Sequence, residues 1–560
     1  MIGNPDISQK EIAKVSALMA EGFAFHRAEK FVSAKQCYCE VLRINPDEPD
    51  ALHFMGILAH QDGQNEKAIA YLRQAVRSRE GFVAALQNLA KILLIEKYYS
   101  EVLETAQQTL GLDGNAHQAL RAMAHAYQEL HQFDHAYETY KKIDELFPYE
   151  VGTVRNIALA LSGLRRRDEA VATYRRALEL EPDNIITRLG LAVAFNAAGA
   201  YKNSIEELDI IIERKPNYVP ALVHKGSALA GLDRFDEAVE LFHAAIKIDP
   251  HHPEAHFNLG LELLSNGKLA AGWDEYAWRL KTETFVKQLP PTTAPIWQGE
   301  DIDGKSILLF PEQGMGDSIQ FIRYVRLLSG RGANVHCCCL RPLFNLFQTI
   351  EGAAGVHEIG EDIPYVDYQI SMMELPRLLR TDLHNIPLAD GYLKAPATDF
   401  SRPDRLSVGI VWQGNPSHER DTLRSIDLRE LAPFFDIEGV SFFSLQMGGA
   451  EAKISELNLQ EHIKDMSGQL TDFAATAGII AQLDLVISID TSVAHVAGAI
   501  GQPVWMMLPT AADWRWGRAG DTTPWYNSMR LFRQQSRGDW SDVVMGIRSR
   551  LQSQAKEYKH

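Results

Sequence analysis

Prolines stand at 148, 182, 216 and 250, each 34 residues after the last, and Pro46 lies on the same ladder. A proline cannot donate the next backbone hydrogen bond, so it ends a helix. Ends recurring at this interval predict a chain of helix pairs, each too small to bury its apolar face alone and therefore stacked on its neighbours. Units begun at 15, 49, 83, 117, 151, 185, 219 and 253 place a small residue at the eighth position throughout: Gly22, Gly56, Ala90, Ala124, Ala158, Ala192, Gly226 and Gly260. The twentieth position is mostly alanine (Ala34, Ala68, Ala136, Ala170, Ala238), often with an aromatic four residues on (Tyr38, Tyr140, Tyr174, Phe242). Small residues at fixed places predict that the two helices of each pair approach closely there.

A 34-residue period is that of the tetratricopeptide repeat. Such arrays curl into an all-α superhelix with a concave face that binds peptides or proteins, so a polypeptide is the expected partner. The sixth position of the first helix faces that side; it carries Asn88, Asn156, His224 and Asn258. An asparagine there can both donate to and accept from an extended backbone, although each alone also reads as a solvated polar residue. Arg165-Arg166-Arg167 falls at the turn between helices. The eighth unit degenerates into AAGWDEYAWRLK (270–281), as capping repeats do, and QLPPTTAP (288–295) reads as a linker. The array is expected over 1–286.

A chain of 560 residues exceeds one core. Its net charge of −17, with no long basic tract, argues against nucleic acid and acidic membranes. No basic n-region precedes an apolar core at the N-terminus, and the apolar stretch 487–508 is broken by Asp490, His495 and Pro503. A cytoplasmic location without a transmembrane segment is the expectation. Cys37, Cys39 and the run Cys337-Cys338-Cys339 have neither disulfide nor zinc spacing, so reduced thiols and no metal are expected.

After Trp297 the period changes. Short apolar runs (307–310, 335–340, 408–412, 440–445, 485–489, 504–508) alternate with helical patterns. That alternation predicts two parallel, doubly wound lobes, at 287–400 and 401–535, with a closing segment, 536–560, whose helix (540–551) packs back across both lobes.

Two motif matches fail on context. Gly299-Glu-Asp-Ile-Asp-Gly304-Lys305-Ser306 fits a phosphate loop, but it precedes a strand instead of joining strand to helix, and three acids crowd it. Gly314-x-Gly316 lacks the third glycine of a dinucleotide fingerprint, and no acid lies between Ser318 and Ile350 to hold a ribose.

A better constellation lies further on. The run 485–489 leads into Asp490-Thr491-Ser492, which opens a helix rich in small residues with His495 one turn in. Helix N-termini attract phosphate; the simpler alternative is capping by Asp490 or Thr491 and a packed His495. The run 408–412 leads into Gln413-Gly414-Asn415, followed by Arg420 and Arg424, either of which could neutralise a leaving phosphate or sit in solvent.

Together EQGMGD (312–317), VWQGNPSH (411–418), DTSVAHVAGAIGQPVW (490–505), DWRWG (513–517) and PWYNSMRLFRQ (524–534) resemble bacterial tetratricopeptide-linked glycosyltransferases. These are related to the ADP-heptose lipopolysaccharide heptosyltransferases and include flagellin glycosyltransferases. The layout is also similar to that of the O-linked N-acetylglucosamine transferases. The resemblance implies a GT-B fold of two Rossmann-like lobes and an inverting, metal-independent transfer from a nucleotide-activated sugar to a Ser/Thr hydroxyl of a protein, flagellin among the candidates. A CMP-linked nonulosonic acid is one donor consistent with it; no other cofactor is implied. On this resemblance Asp317 is the general base, with a helix cap as its other role. Gly314 and Gly316 clear space for the sugar. Asp490, Thr491, Ser492 and His495 hold the diphosphate, with Gln413, Gly414 and Asn415 beside them and Arg424 as counter-charge. Leu445 and Gln446 meet base and ribose. Two alternatives stay open: heptosyltransferase-like transfer to a lipopolysaccharide or glycan, which would not need residues 1–286, and a non-catalytic peptide-binding scaffold.

Overall fold

In a computed structural model, described for residues 8–282, 292–416, 418 and 421–558, the repeat helices fall on the ladder. From the second unit on, first helices begin at Pro49, Val83, His117, Val151, Ile185, Val219 and Pro253. Second helices begin at Phe31, Asn65, Tyr99, Phe133, Arg167, Tyr201, Phe235 and Leu269. The opening helix, Gln9–Arg27, starts earlier than the register because Ser8 and Glu11 form a capping box there. The small eighth position is explained by its partner sixteen residues on. A Cβ at Gly22 would meet the Tyr38 ring at 2.7 Å, and one at Gly56 would meet Leu72 at 2.7 Å.

A second ladder was not visible as a motif. The residue between the two helices of each pair has positive φ: Glu29, Gly63, Lys97, His131, Arg165, Gly199, Asp233 and Gly267, with φ between 57° and 74°. Glycine occupies only three of these turns, and elsewhere an L side chain is held in the left-handed region at a cost of about 1 kcal/mol or more. Lys97→Gly and His131→Gly are each expected to raise stability by roughly 0.5–1 kcal/mol in urea unfolding. A loss of stability in both would contradict this reading of the turn. Arg165 occupies such a turn, and Arg166 pairs with Glu169 (2.6 Å) at the start of the next helix, so the arginine run is structural.

The chain divides into two compact units, 1–228 and 229–560. The first is all helical, each helix packed on its chain neighbours around small cores such as Ala34, Tyr38, Val41 and Met55.

The second unit holds the last repeat helices and an α/β region. Leu264, Leu269, Trp273 and Tyr276 share one core with Ile307, Phe321, Trp514 and Trp525. The Trp273 ring stands edge-on to Trp514 at 5.2 Å, and its indole N–H donates to the Thr381 carbonyl at 3.1 Å. The repeat sequence therefore runs on to about residue 281, whereas the structural division comes earlier, at 228. Part of the expected linker (288–291) lies outside the described residues.

The strands are β1 Ser306–Phe310, β2 Asn334–Cys339, β3 Ala353–Glu358, β4 Tyr368–Ser371, β5 Leu406–Val411, β6 Val440–Ser444, β7 Ile463–Asp465, β8 Leu485–Ile489, β9 Val504–Leu508 and β10 Met529–Arg533. They form two wholly parallel sheets, in orders β3-β2-β1-β4 and β10-β9-β8-β5-β6-β7. The second is the doubly wound order, whose direction reverses between β5 and β8; the first reverses between β1 and β4. The final helix, Ser541–Tyr558, buries Val543, Val544, Ile547 and Leu551 in a core with Val408, Ile487 and Trp505. That core belongs to the second sheet, which corrects the expectation of a helix packed across both lobes. The apolar face of the helix matches the Trp- and Phe-rich side of that one sheet.

Candidate functional site

In an open parallel sheet, loops leaving the strand ends on either side of the reversal diverge and leave a crevice. In the second sheet those loops are Trp412-Gln413-Gly414-Asn415, after β5, and Asp490-Thr491, after β8. In the first sheet the loop after β1 runs 311–314 and opens the helix Met315–Phe321. That helix packs against Ser492–Ala499, the helix after β8. The two switch points are therefore brought together within the second unit. Gly316 is the point of approach, since a Cβ there would stand 2.9 Å from the His495 ring. This corrects the expected role of Gly316: the space it leaves is filled by His495.

Asp317 is engaged at both oxygens. Oδ2 accepts the Gly314 backbone N–H at 2.8 Å, so the helix starts at Met315 and Asp317 closes its first turn. Oδ1 pairs with Arg515. Arg515 also bonds Asp513 (Nη1 to Oδ1, 2.8 Å) and Gln320 (Nε to Oε1, 2.6 Å). Burial pushes the Asp317 carboxyl above the usual aspartate range, against the pull of Arg515. Asp490 is likewise raised, by burial and by Asp513, while Trp516, Arg424 and Arg515 pull the other way.

His495 Nδ1 lies 2.8 Å from the Tyr526 hydroxyl, and its Nε2 stands 3.9 Å from Asp490. Burial, with Arg515 nearby, lowers its pKa to about 3, so the imidazole is neutral and presents a dipole instead of a charge. Thr491 is the N-cap of the Ser492–Ala499 helix, but its side chain makes no capping bond and lies 3.1 Å from the Ser488 hydroxyl. That helix N-terminus thus has no side-chain cap, the condition that favours an anion there.

Arg424 ties the two loops of the second sheet together. Its Nη1 donates to the Asp490 carbonyl at 2.8 Å and its Nε to Asp421 at 3.2 Å. Gly414 lies close beside it, since a Cβ there would crowd the Asp421 carboxylate and stand 2.7 Å from the guanidinium, and its N–H donates to Ser425. Asn415 lies exposed in the same loop, and Arg420 falls outside the described residues.

Gln446 differs from expectation. Its Oε1 accepts the Trp412 and Gln413 N–H groups, and its Nε2 donates to the Gln413 and Met447 carbonyls. With its amide spent on clamping the β5 loop, it has no free group for a nucleoside. Leu445 is 1 % exposed and packs over Gly409. Both are corrected from donor contacts to supports, because strand ends beside a crevice must first hold their own loops.

On the repeats, Asn88 Nδ2 lies 2.8 Å from His53 Nε2, and Asn156 lies beside the buried Tyr140 hydroxyl. The His224 carbonyl accepts from Asn196 at 3.1 Å. These three lie in the first unit, while Asn258 lies in the helix Pro253–Ser265 of the second. Each is the sixth residue of its helix, as the register requires.

Sequence reading assigned no role to Arg279, which is fully buried. It binds Glu312 through Nε and Nη2 (2.5 and 2.7 Å) and Glu374 through Nη1 (2.8 Å), while Ser371 donates to Glu312 at 2.5 Å. The last repeat turn is thereby bonded to the ends of β1 and β4. Arg279→Met would leave the buried Glu312 without a cation, while Glu374 keeps Arg377 at 2.8 Å, and is expected to cost about 3–5 kcal/mol in urea unfolding of the second unit. A loss below about 1 kcal/mol would show that water or neighbouring groups replace it.

Family models described as tetratricopeptide repeat match residues 49–81, 155–219 and 224–277. The chain is 25% identical to Protein FlbA of Caulobacter vibrioides over 394 residues, which is 63% of this chain. It spans 64% of the length of that relative. Among solved structures, it is similar to a tetratricopeptide repeat protein from Parabacteroides merdae (16% identity, 45% of this chain and 99% of that one, TM-score 0.37). It is also similar to YrrB, described as a tetratricopeptide protein with an unusual peptide-binding site (19% identity, 33% and 95%, TM-score 0.29). No described helix is long and apolar enough to cross a membrane. The chain contains tetratricopeptide repeats, and such repeats generally bind peptides.

Proposed function

We propose that the α/β region is a GT-B glycosyltransferase that takes a nucleotide-activated sugar in the crevice between its sheets. It transfers the sugar to a Ser/Thr hydroxyl of a polypeptide recruited by the repeats, flagellin being one candidate. The observation that carries the reading is the pair of strand-end crevices brought together there: one offers Asp317, and the other a helix N-terminus without a side-chain cap beside Arg424. In this arrangement the donor's phosphates lie against the Ser492–Ala499 helix, where backbone N–H groups and the helix dipole favour negative charge. The acceptor hydroxyl approaches from the β1 side. Its oxygen attacks the anomeric carbon, its proton passes to Asp317, and the bond to phosphate breaks with the electron pair left on the phosphate oxygen. Neutral His495 serves as a hydrogen-bond partner there, since its depressed pKa keeps it from supplying a proton.

The test is incubation of the whole protein with labelled UDP-, GDP-, ADP- and CMP-sugars and a flagellin acceptor, with intact-mass readout. Covalent addition of one sugar to a hydroxyl residue is the expected result. Absence of transfer to polypeptide, with transfer to a lipid or glycan acceptor instead, would replace the acceptor half of the proposal.

A further inference from the structure

The cation nearest the candidate base is held by the wrong partner for catalysis. Arg515 spends its Nη2 on Asp317, its Nη1 on Asp513 and its Nε on Gln320. A carboxylate paired with arginine is a weakened base, because the pair favours its charged, proton-free form. The same charge also acts on Asp490 and on His495, one turn into the opposite helix. Arg515 thus stands between the two crevices. Arg424, the other guanidinium, is bound to Asp421 and to the Asp490 carbonyl.

We propose that Arg515 is a transferable cation, paired with Asp317 and passed to the phosphate of an arriving nucleotide sugar. This rests on the glycosyltransferase reading above. The side chain need only turn about its Asp513 and Gln320 contacts for Nη2 to exchange one oxygen anion for another. A guanidinium suits the exchange, since its planar fork serves carboxylate and phosphate equally. The turn is eased at Gln320, whose buried side-chain nitrogen has no hydrogen-bond partner among the described residues. Once Arg515 has left, Asp317 faces Asp513, Glu312 and the incoming phosphate with less compensation, and its affinity for a proton rises. The acceptor's proton is then taken only after the donor is in place, which protects the sugar from idle activation.

The experiment is a double-mutant cycle on nucleotide affinity, read by calorimetry on the full chain with CMP, UDP, GDP and ADP. In the native background Asp317→Asn keeps shape and the Gly314 contact but releases Arg515. Nucleotide binding is expected to tighten about tenfold, as when a competing state is removed. In the Arg515→Gln background the same change is expected to shift affinity less than about threefold, because simple repulsion alone remains. Equal tightening in both backgrounds, or none in the native one, overturns the proposal and leaves the glycosyltransferase reading standing. Should Arg515→Gln not fold, Arg515→Met takes its place with the same outcomes. Failure of all four nucleotides to bind the native protein overturns both.

Discussion

A polypeptide beginning at Leu229 is expected to fold and unfold cooperatively, whereas one beginning at residue 287 is expected not to fold. The reason lies in the core of the second unit, where the last repeat residues are built in. Trp273 and Tyr276 are each 2 % exposed. Aromatics of that size bury about 150–250 Å² each, or roughly 4–6 kcal/mol per residue. Arg279 adds the compensation of Glu312 and Glu374. Losing all three removes roughly 11–17 kcal/mol, as much as the usual stability of about 5–15 kcal/mol of a domain. Circular dichroism and thermal melting of the two fragments check this; a cooperative melt from the fragment starting at 287 would contradict it. The comparison also changes how acceptor recruitment is tested. Transfer lost on deleting 1–286 would say nothing about the acceptor, because the α/β fold itself would be lost. Deleting 1–228 separates the readings: an acceptor recruited by the repeats loses transfer while nucleotide binding persists.

Asp317→Asn is expected to lower transfer by about 10²–10⁴-fold, the usual contribution of a positioned general base, while nucleotide binding is kept and tightens as the Arg515 exchange requires. The asparagine can still accept the Gly314 N–H, so the helix start is retained and the melting point should move by only a few degrees. Activity within threefold of the native protein would remove Asp317 from the chemistry and leave it a helix cap and the partner of Arg515. The raised carboxyl fits a base, whereas the ion pair opposes one. The proposed Arg515 exchange is what reconciles the two.

The helix starts of the repeats from the second unit on were legible because their signal is periodic. Proline, small residue and aromatic recur at fixed offsets, and seven first helices start on the ladder. Among strands, legibility followed burial. The six apolar runs correspond to β1, β2, β5, β6, β8 and β9, the interior strands, whose two covered faces demand continuous apolar sequence. The unrecognised strands are β3, β4, β7 and β10, which are the four sheet edges. AAGVHE, YQIS, IKD and MRLFR carry polar residues because one side is less covered.

For the site, residues at strand ends were legible through local pattern: Asp317, Gly414, Asp490 and Thr491 all lie where strand meets helix. Arg515 and Arg279 were not. Their partners are distant in sequence, with Arg515 bonding Asp317 and Arg279 bonding Glu312, and no local spacing announces such pairs. Gln446 misled for the opposite reason, because a polar residue at a strand end reads as a ligand contact until its bonds are traced.

The central claim is that the crevice beside the Ser492–Ala499 helix takes a nucleotide. Hydrogen–deuterium exchange of the whole protein, with and without CMP, UDP, GDP and ADP, tests it most directly. One of these nucleotides is predicted to protect the amides of 412–415 and 490–495 and to leave 49–228 unchanged. Unaltered exchange at 490–495 with every nucleotide would contradict it.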